Sequence, residues 1–112
     1  MNAVTVYNPV AGQTDSTPCL AGGVNICKKH NSGVRVLALS QDLCGWNGCG
    51  SSWYKKGGIM KGQKVKLIHE DKFVSGVYEV QDAMNERFTK KADIFDPHRS
   101  TGLWRGVELC VL

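Results

Sequence analysis

Two aspartates, Asp82 and Asp93, occupy the positions in this chain that most suggest acid–base chemistry. Asp82 ends the alternating segment SGVYEVQD, and Asp93 opens the short apolar piece DIF. An aspartate at the edge of an apolar run is often a turn former or a helix N-cap. The sharper interpretation is a carboxylate held over a cleft. It requires that the rest of the chain supplies a groove and further carboxylates.

Size and composition predict one folded domain. The chain has 112 residues, which is enough for a single modest core, and 42% of them are hydrophobic. No apolar run approaches the roughly 20 residues that span a bilayer. The N-terminal segment MNAVTVYNPV has neither the basic nor the apolar region of a signal peptide. Whether a leader has been removed stays open.

The charge is mildly positive and widely distributed. The formal charge is +4 at pH 7, and the lysines are scattered rather than packed in one block. Such scatter is typical of a solvated surface, and it also suits an anionic polymer, whether nucleic acid or cell-wall glycan. Charge alone does not choose between them.

Five cysteines are many for a chain of this length: Cys19, Cys27, Cys44, Cys49 and Cys110. A disulfide framework with one thiol left over and a set of plain thiols are both open interpretations. A zinc site of Cys19, Cys27, His30 and Cys44 or Cys49 matches no common zinc spacing and is disfavoured. His30, His69 and His98 are interpreted as polar loop or strand-end residues. We therefore expect neither a metal nor a cofactor.

Short apolar segments between polar and glycine-rich stretches predict an all-β chain. The predicted strands are Ala3–Tyr7, Gly33–Leu39, Gln63–His69, Gly76–Gln81, Asp93–Phe95 and Trp104–Leu112. The third and fourth strands are expected to form a hairpin. Residues 11–32 and 43–58 are expected to be long loops, and Ser100–Leu103 a single helical turn. Six short strands with long loops indicate a small, closed or nearly closed β-barrel.

Four segments, taken in order, resemble a known family. They are VRVLALSQD (34–42), MKGQKVKL (60–67), VYEVQD (77–82) and ADIF (92–95). Their order and spacing resemble the three-aspartate domain of lytic murein transglycosylases, a six-stranded double-psi β-barrel also found in expansins, barwin-like proteins and rare lipoprotein A. The resemblance implies one domain over residues 1–112, with a cysteine-containing insertion at about 43–58. After the aspartate that corresponds to Asp82, the family usually has a small residue and paired glycines, whereas this chain has Ala83-Met84-Asn85.

The resemblance also implies a set of site residues. Asp82 corresponds to the catalytic aspartate, and Asp42 and Asp93 line the same groove and tune its pKa. Tyr7, Thr14 and Asp15 are expected to line the groove from the first strand and its loop. Asn85 and Arg87 are candidates for hydrogen bonds to acetamido or lactyl groups. The loop aromatics either stack on sugars or pack over the edge of the core, and they are Trp46, Trp53 and Tyr54.

The activity implied is non-hydrolytic cleavage of the bond between N-acetylmuramic acid and N-acetylglucosamine by one carboxyl group. A hydrolase would need a second carboxylate, for which Asp15 and Glu86 are only loose candidates. The expected partner is a peptidoglycan glycan strand, bound by a monomer outside the cytoplasm, in the periplasm or cell wall, or carried by a phage virion. Two alternatives remain open: a non-catalytic, expansin-like glycan-binding barrel and a nucleic-acid-binding barrel.

Overall fold

The computed structural model of the protein describes residues 1–7, 20–21, 24–43, 58–85, 87–99 and 101–112. Within these ranges strands dominate. In chain order the elements are β1 (Ala3–Tyr7), β2 (Leu20–Ala21), β3 (Val24–Asn25), α1 (Ile26–Asn31), β4 (Val36–Leu39), a 3-10 turn (Gln41–Leu43), β5 (Lys64–Ile68), β6 (Gly76–Ala83), β7 (Lys91–Phe95), β8 (Leu103–Trp104) and β9 (Glu108–Val111).

The all-β prediction is confirmed. The predicted strand Ala3–Tyr7 has the same bounds in the structure, Trp104–Leu112 is present in two pieces, and the other four are present with shifted ends. The predicted strand count was wrong, because the main sheet has seven strands rather than six. The segment predicted as one strand, Trp104–Leu112, is divided into β8 and β9. Gly106 lies between them with a φ of 68°, a left-handed conformation that interrupts an extended strand.

Two local predictions were also wrong. Residues 11–32 were expected to be loop throughout, but α1 lies within them and carries His30. The side chain of Asn25 caps this helix by accepting the N–H of Lys28 at 2.9 Å, and Ile26 buries its apolar side. The helical turn expected up to Leu103 is not formed by the described residues there, since Leu103 belongs to β8.

The main sheet is mixed, with the order β8-β1-β7-β4-β6-β5-β9. β1 pairs with β7 and β4 with β6 in parallel, and β4 and β7 are antiparallel neighbours at the centre. The expected hairpin of β5 and β6 is confirmed. The outer strands β8 and β9 are separated by only three residues of chain. The sheet must therefore curl until its two edges come close together.

Polar contacts hold the curled edges near one another. The indole N–H of Trp104, on β8, donates to Asp71 in the turn after β5 at 2.8 Å. One ring nitrogen of His69 lies 3.1 Å from the carbonyl oxygen of Arg105, and the other accepts the N–H of Asp71 at 3.0 Å. Both nitrogens of His69 are thus occupied by backbone groups, which gives this histidine a structural role.

The core follows from the alternation within the strands. In β5 the lysines are exposed, whereas Val65 and Leu67 are fully buried. β4 is buried on both faces, because Leu37 and Leu39 enter the main core while Val36 packs with Ile26 of α1 in a second cluster. Each such side chain contributes about 1.5–3 kcal/mol through burial. α1 therefore covers part of the outer face of the sheet, next to the site described below.

Within the described ranges, no helix has the length and apolarity to cross a membrane.

Replacing Gly102 by alanine tests the packing of the closing strand. A Cβ atom at this position would overlap the indole ring of Trp104. We expect Gly102→Ala to lower the free energy of unfolding by about 1–3 kcal/mol, because the indole must move and lose its bond to Asp71. Urea unfolding followed by circular dichroism measures this. In a Trp104→Ala background the same substitution should cost little, and an equal cost in both backgrounds would contradict the packing.

Candidate active site

The register of three strands places Asp82 and Asp93 on either side of Ala38. Ala38 on β4 pairs with Asp93 on β7 and with Asp82 on β6. Thr5 on β1 pairs with Asp93. The paired residues Thr5, Asp93, Ala38 and Asp82 thus form one row across four strands, called the aspartate row below. Strands lie about 4.8 Å apart, so the two aspartate backbones are about 10 Å apart, with only a methyl group between them. Their side chains share one face of the sheet and can lean toward each other.

A β-bulge in β6 puts Asp82 on this face. The pairing of β4 with β6 shifts between Leu37 and Ala38, where Val80 is followed by Asp82 in the register and Gln81 is the extra residue. Without the bulge, strand alternation would turn Asp82 toward the same side as the buried Val80. The extra residue re-aims the carboxylate toward Asp93.

Asp93 is a partly buried carboxyl group with one fixed oxygen. The hydroxyl of Thr5 donates to Oδ1 of Asp93 at 2.9 Å. Burial raises the pKa of Asp93 to about 6, the nearby charge of Asp82 adds to the rise, and the Thr5 hydrogen bond opposes it. Asp93 therefore keeps a proton into the weakly acidic range.

Burial raises the pKa of Asp82 as well. Its Oδ1 accepts the backbone N–H of Ala83 at 2.8 Å, and that bond and the charge of Lys61 oppose the rise. We had expected Asp42 and Asp93 to raise this pKa by like-charge repulsion, whereas burial is the leading cause. The charge of Asp82 contributes to the raised pKa of Asp93, so the two carboxyl groups interact electrostatically across Ala38.

Tyr7 contributes a phenol to the same face. It lies two residues after Thr5 on β1, and its ring meets the ring of Phe95 edge-on at 5.4 Å. Burial, followed by the charges of Asp82 and Asp93, raises the pKa of Tyr7. The hydroxyl is buried and makes no hydrogen bond to any described residue. Tyr7 therefore lies on the same face of the sheet as Asp93, and its place in a ligand groove stays a prediction.

Asp42, the third predicted aspartate, is engaged elsewhere. Its two carboxylate oxygens accept the backbone N–H of Lys90 at 3.0 and 3.2 Å. The amide of Gln41 donates to the carbonyl oxygen of Met84 at 3.2 Å. The turn after β4 thus fixes both ends of the loop that joins β6 to β7. Asp42 positions this loop and makes no hydrogen bond to Asp82 or Asp93.

Asn85 and Arg87 lie in that same loop, between the two aspartate-bearing strands. The side chain of Asn85 accepts the N–H of Arg87 at 3.0 Å, and the guanidinium carbon of Arg87 lies 4.8 Å from the ring centre of Phe88. Both residues are exposed and accessible to a ligand. The remaining predicted residues lie outside the described part of the chain: Thr14, Asp15, Trp46, Trp53, Tyr54 and Glu86, as does the insertion apart from its ends.

Three features of the site escaped the sequence analysis. The presence of the Thr5 hydroxyl at the site could have been predicted, because strand alternation places Thr5 on the same side of β1 as Tyr7. The bulge at Gln81 left no recognisable signal. An ion pair between Lys29 of α1 and Glu79 of β6, at 2.9 Å, fixes the helix beside the row, and Gln81 donates to the same Glu79 oxygen.

The described cysteines differ in state. Cys27 is disulfide-bonded, which agrees with the disulfide interpretation and removes it from the disfavoured zinc set. Cys110 is a free thiol on β9.

A comparison of the chain with protein-family models, with curated proteins and with solved structures finds no match. The resemblance to the three-aspartate domain therefore depends on the four segments and their spacing.

The raised pKa of Asp93 predicts a particular dependence of stability on pH. Because the folded pKa of about 6 exceeds the ordinary aspartate value of 3.8, the folded state is favoured while Asp93 is protonated and loses stability as pH rises from about 4 to about 6. Asp93→Asn should remove this loss and raise the free energy of unfolding at neutral pH by on the order of 1–3 kcal/mol. Urea unfolding at several pH values measures it.

A carboxylate with the opposite environment serves as the control for that experiment. Asp71 accepts the N–H of Phe73 and the indole N–H of Trp104, which lower its pKa. Asp71→Asn should therefore destabilise the protein at neutral pH. A loss of stability in Asp93→Asn would contradict the environment described for Asp93.

Removing the buried hydroxyl of Tyr7 and that of Tyr78 should change the stability of the fold in opposite directions. Tyr7→Phe deletes a buried hydroxyl without a hydrogen bond and should stabilise the fold by about 1 kcal/mol. The hydroxyl of Tyr78 donates to the carbonyl oxygen of Val74 at 2.6 Å, so Tyr78→Phe should destabilise by about 1–2 kcal/mol. Thermal and urea unfolding compare them, and two changes of the same sign would be inconsistent with the described environments.

Proposed function

We propose that the Asp82–Asp93 pair is the acid–base centre of a lytic transglycosylase that cleaves peptidoglycan glycan strands. The observation that supports this is a pair of partly buried carboxyl groups across one alanine on one sheet face, one of them with a pKa of about 6. General acid catalysis near neutral pH needs a carboxyl group with such a raised pKa.

The reaction requires one proton and no water. A protonated carboxyl of the pair gives its proton to the glycosidic oxygen as the bond to the muramic anomeric carbon breaks. The resulting carboxylate takes the proton of the muramic 6-hydroxyl as that oxygen bonds to the same carbon and closes a 1,6-anhydro ring. The carboxyl group ends protonated, so the cycle is balanced and needs no cofactor.

The environments of the two carboxyl groups bear on which of them carries the proton. The family resemblance assigns the proton transfers to Asp82, whereas the pKa of about 6 makes Asp93 a holder of a proton. Since the charge of Asp82 acts on the pKa of Asp93, we assign the proton to the pair, with Thr5 orienting Asp93 through its 2.9 Å bond.

The setting proposed is outside the cytoplasm, in the periplasm or cell wall or on a phage virion. The disulfide at Cys27 supports an oxidising location. Nucleic acid is the less favoured ligand for this face, because ionised Asp82 and Asp93 would repel phosphates.

The test is mass spectrometry of peptidoglycan sacculi incubated with the protein. We expect muropeptides ending in 1,6-anhydro-muramic acid, with at least about a hundredfold less product from Asp82→Asn and from Asp93→Asn. Glu108→Gln, an exposed residue of β9 far along the chain from the row, is the matched charge control and should leave the yield unchanged.

Other products would reject the proposal in distinct ways. Reducing-end muropeptides would indicate a hydrolase. Retained binding to sacculi without cleavage would indicate a glycan-binding barrel. Equal anhydro product from the parent and both variants would place the chemistry at another site.

A further inference from the structure

The three histidines differ in what their rings contact. Both nitrogens of His69 are occupied by backbone groups, as described above. The ring nitrogens of His30 and His98 make no hydrogen bond to the described residues. These two rings nevertheless lie next to each other, with centres 6.1 Å apart and planes inclined at 52°. Two imidazole rings from separate elements are thus adjacent, and no described residue forms a hydrogen bond to their nitrogens.

Their separation is close to the one that a shared metal ion needs. A transition-metal ion bound at about 2.0–2.1 Å from a ring nitrogen lies about 3 Å from the ring centre, so two rings on one tetrahedral ion have centres about 5–6 Å apart. The observed separation of 6.1 Å is just above this range, so a shift of the side chains by well under 1 Å would bring the ring centres within it. Imidazole nitrogen is a preferred ligand of zinc, copper and nickel.

Both backbones are fixed before any ion binds. His30 lies on α1, which is anchored by the buried Ile26, and its ring meets the ring of Phe95 at 5.8 Å. The turn that carries His98 is held by Asp96, whose carboxylate accepts the N–H of His98 at 2.7 Å. The N–H of Asp96 in turn donates to the carbonyl oxygen of Tyr7 at 3.1 Å. Such preorganisation lowers the entropic cost of binding.

The cationic side chains next to the two histidines in sequence, Lys29 and Arg99, are directed to other partners. The guanidinium carbon of Arg99 lies over the rings of Phe73 and Trp104, at 4.5 and 4.9 Å from their centres. The ammonium of Lys29 is paired with Glu79. Neither therefore occupies the space between the two imidazoles. The carboxylate of Asp96, two residues before His98, adds a negative charge to the same turn.

We propose that His30 and His98 form an open two-histidine site for a divalent transition-metal ion such as Zn²⁺. In the part of the chain that the structure describes, no third histidine, cysteine or carboxylate completes a ligand set. The remaining coordination positions are open to water or to an oxygen or nitrogen atom of a further ligand. Oxygen-preferring ions such as Mg²⁺ are not expected to bind there. This site is independent of the acid–base function proposed above.

The test adds Zn²⁺ alone to the full chain without an affinity tag, above neutral pH, where imidazoles are uncharged. The signals of the three histidine rings are followed by NMR, and affinity is measured by isothermal titration calorimetry. We expect the rings of His30 and His98 to shift together and saturate at one ion per chain, while His69 does not shift. Mg²⁺ at the same concentration should shift none of them.

The variants His30→Ala and His98→Ala should each weaken Zn²⁺ binding by about tenfold or more, since each leaves one imidazole ligand. His69 remains in both variants and serves as the internal control for non-specific binding. Independent saturation of the two rings, unchanged affinity in either single variant, or no shift at millimolar Zn²⁺ would each overturn the proposal. The titration of the parent protein gives a result even if a variant folds poorly.

Discussion

The site depends on one constraint, the register of β4 with its two neighbours. Ala38 pairs with Asp93 on one side and, because of the bulge at Gln81, with Asp82 on the other. A shift of one residue in either pairing would turn a carboxylate toward the core, where an isolated charge is costly. The ordinary forces that fix register, the burial of Leu37 and Leu39 and the parallel pairing with β6, therefore also fix the geometry of the chemistry.

The arrangement has a cost in stability. Partly buried carboxyl groups and a buried phenol without a hydrogen bond are each less favourable than apolar residues of similar size. The surrounding core offsets this, and α1 packs at the Val36–Phe95 end of the face, while Asp82 and Asp93 stay partly exposed. Functional sites commonly combine such local cost with a stable scaffold.

Much of the strand pattern was predictable, since period-two alternation such as Lys64–Ile68 depends on local burial. The placement of Tyr7 and Asp93 on one face was also predictable, because both alternate with core positions of their strands. The orientation of Asp82 was not, since it depends on the bulge. The bulge at Gln81 was not, because an extra residue is defined only by the partner strand. α1 escaped because six residues are too few to show helical periodicity, and Asp42 was assigned to the groove although its carboxylate binds the backbone of Lys90.

Titration of the aspartate side-chain carboxyl carbons by NMR tests the central claim most directly. If Asp82 and Asp93 form a coupled pair, Asp93 titrates with a pKa of about 6 in the parent protein, and its pKa falls when Asp82→Asn removes the neighbouring charge. A pKa of Asp93 near the ordinary value for aspartate, or one that does not respond to Asp82→Asn, would mean that the two carboxyl groups do not act together.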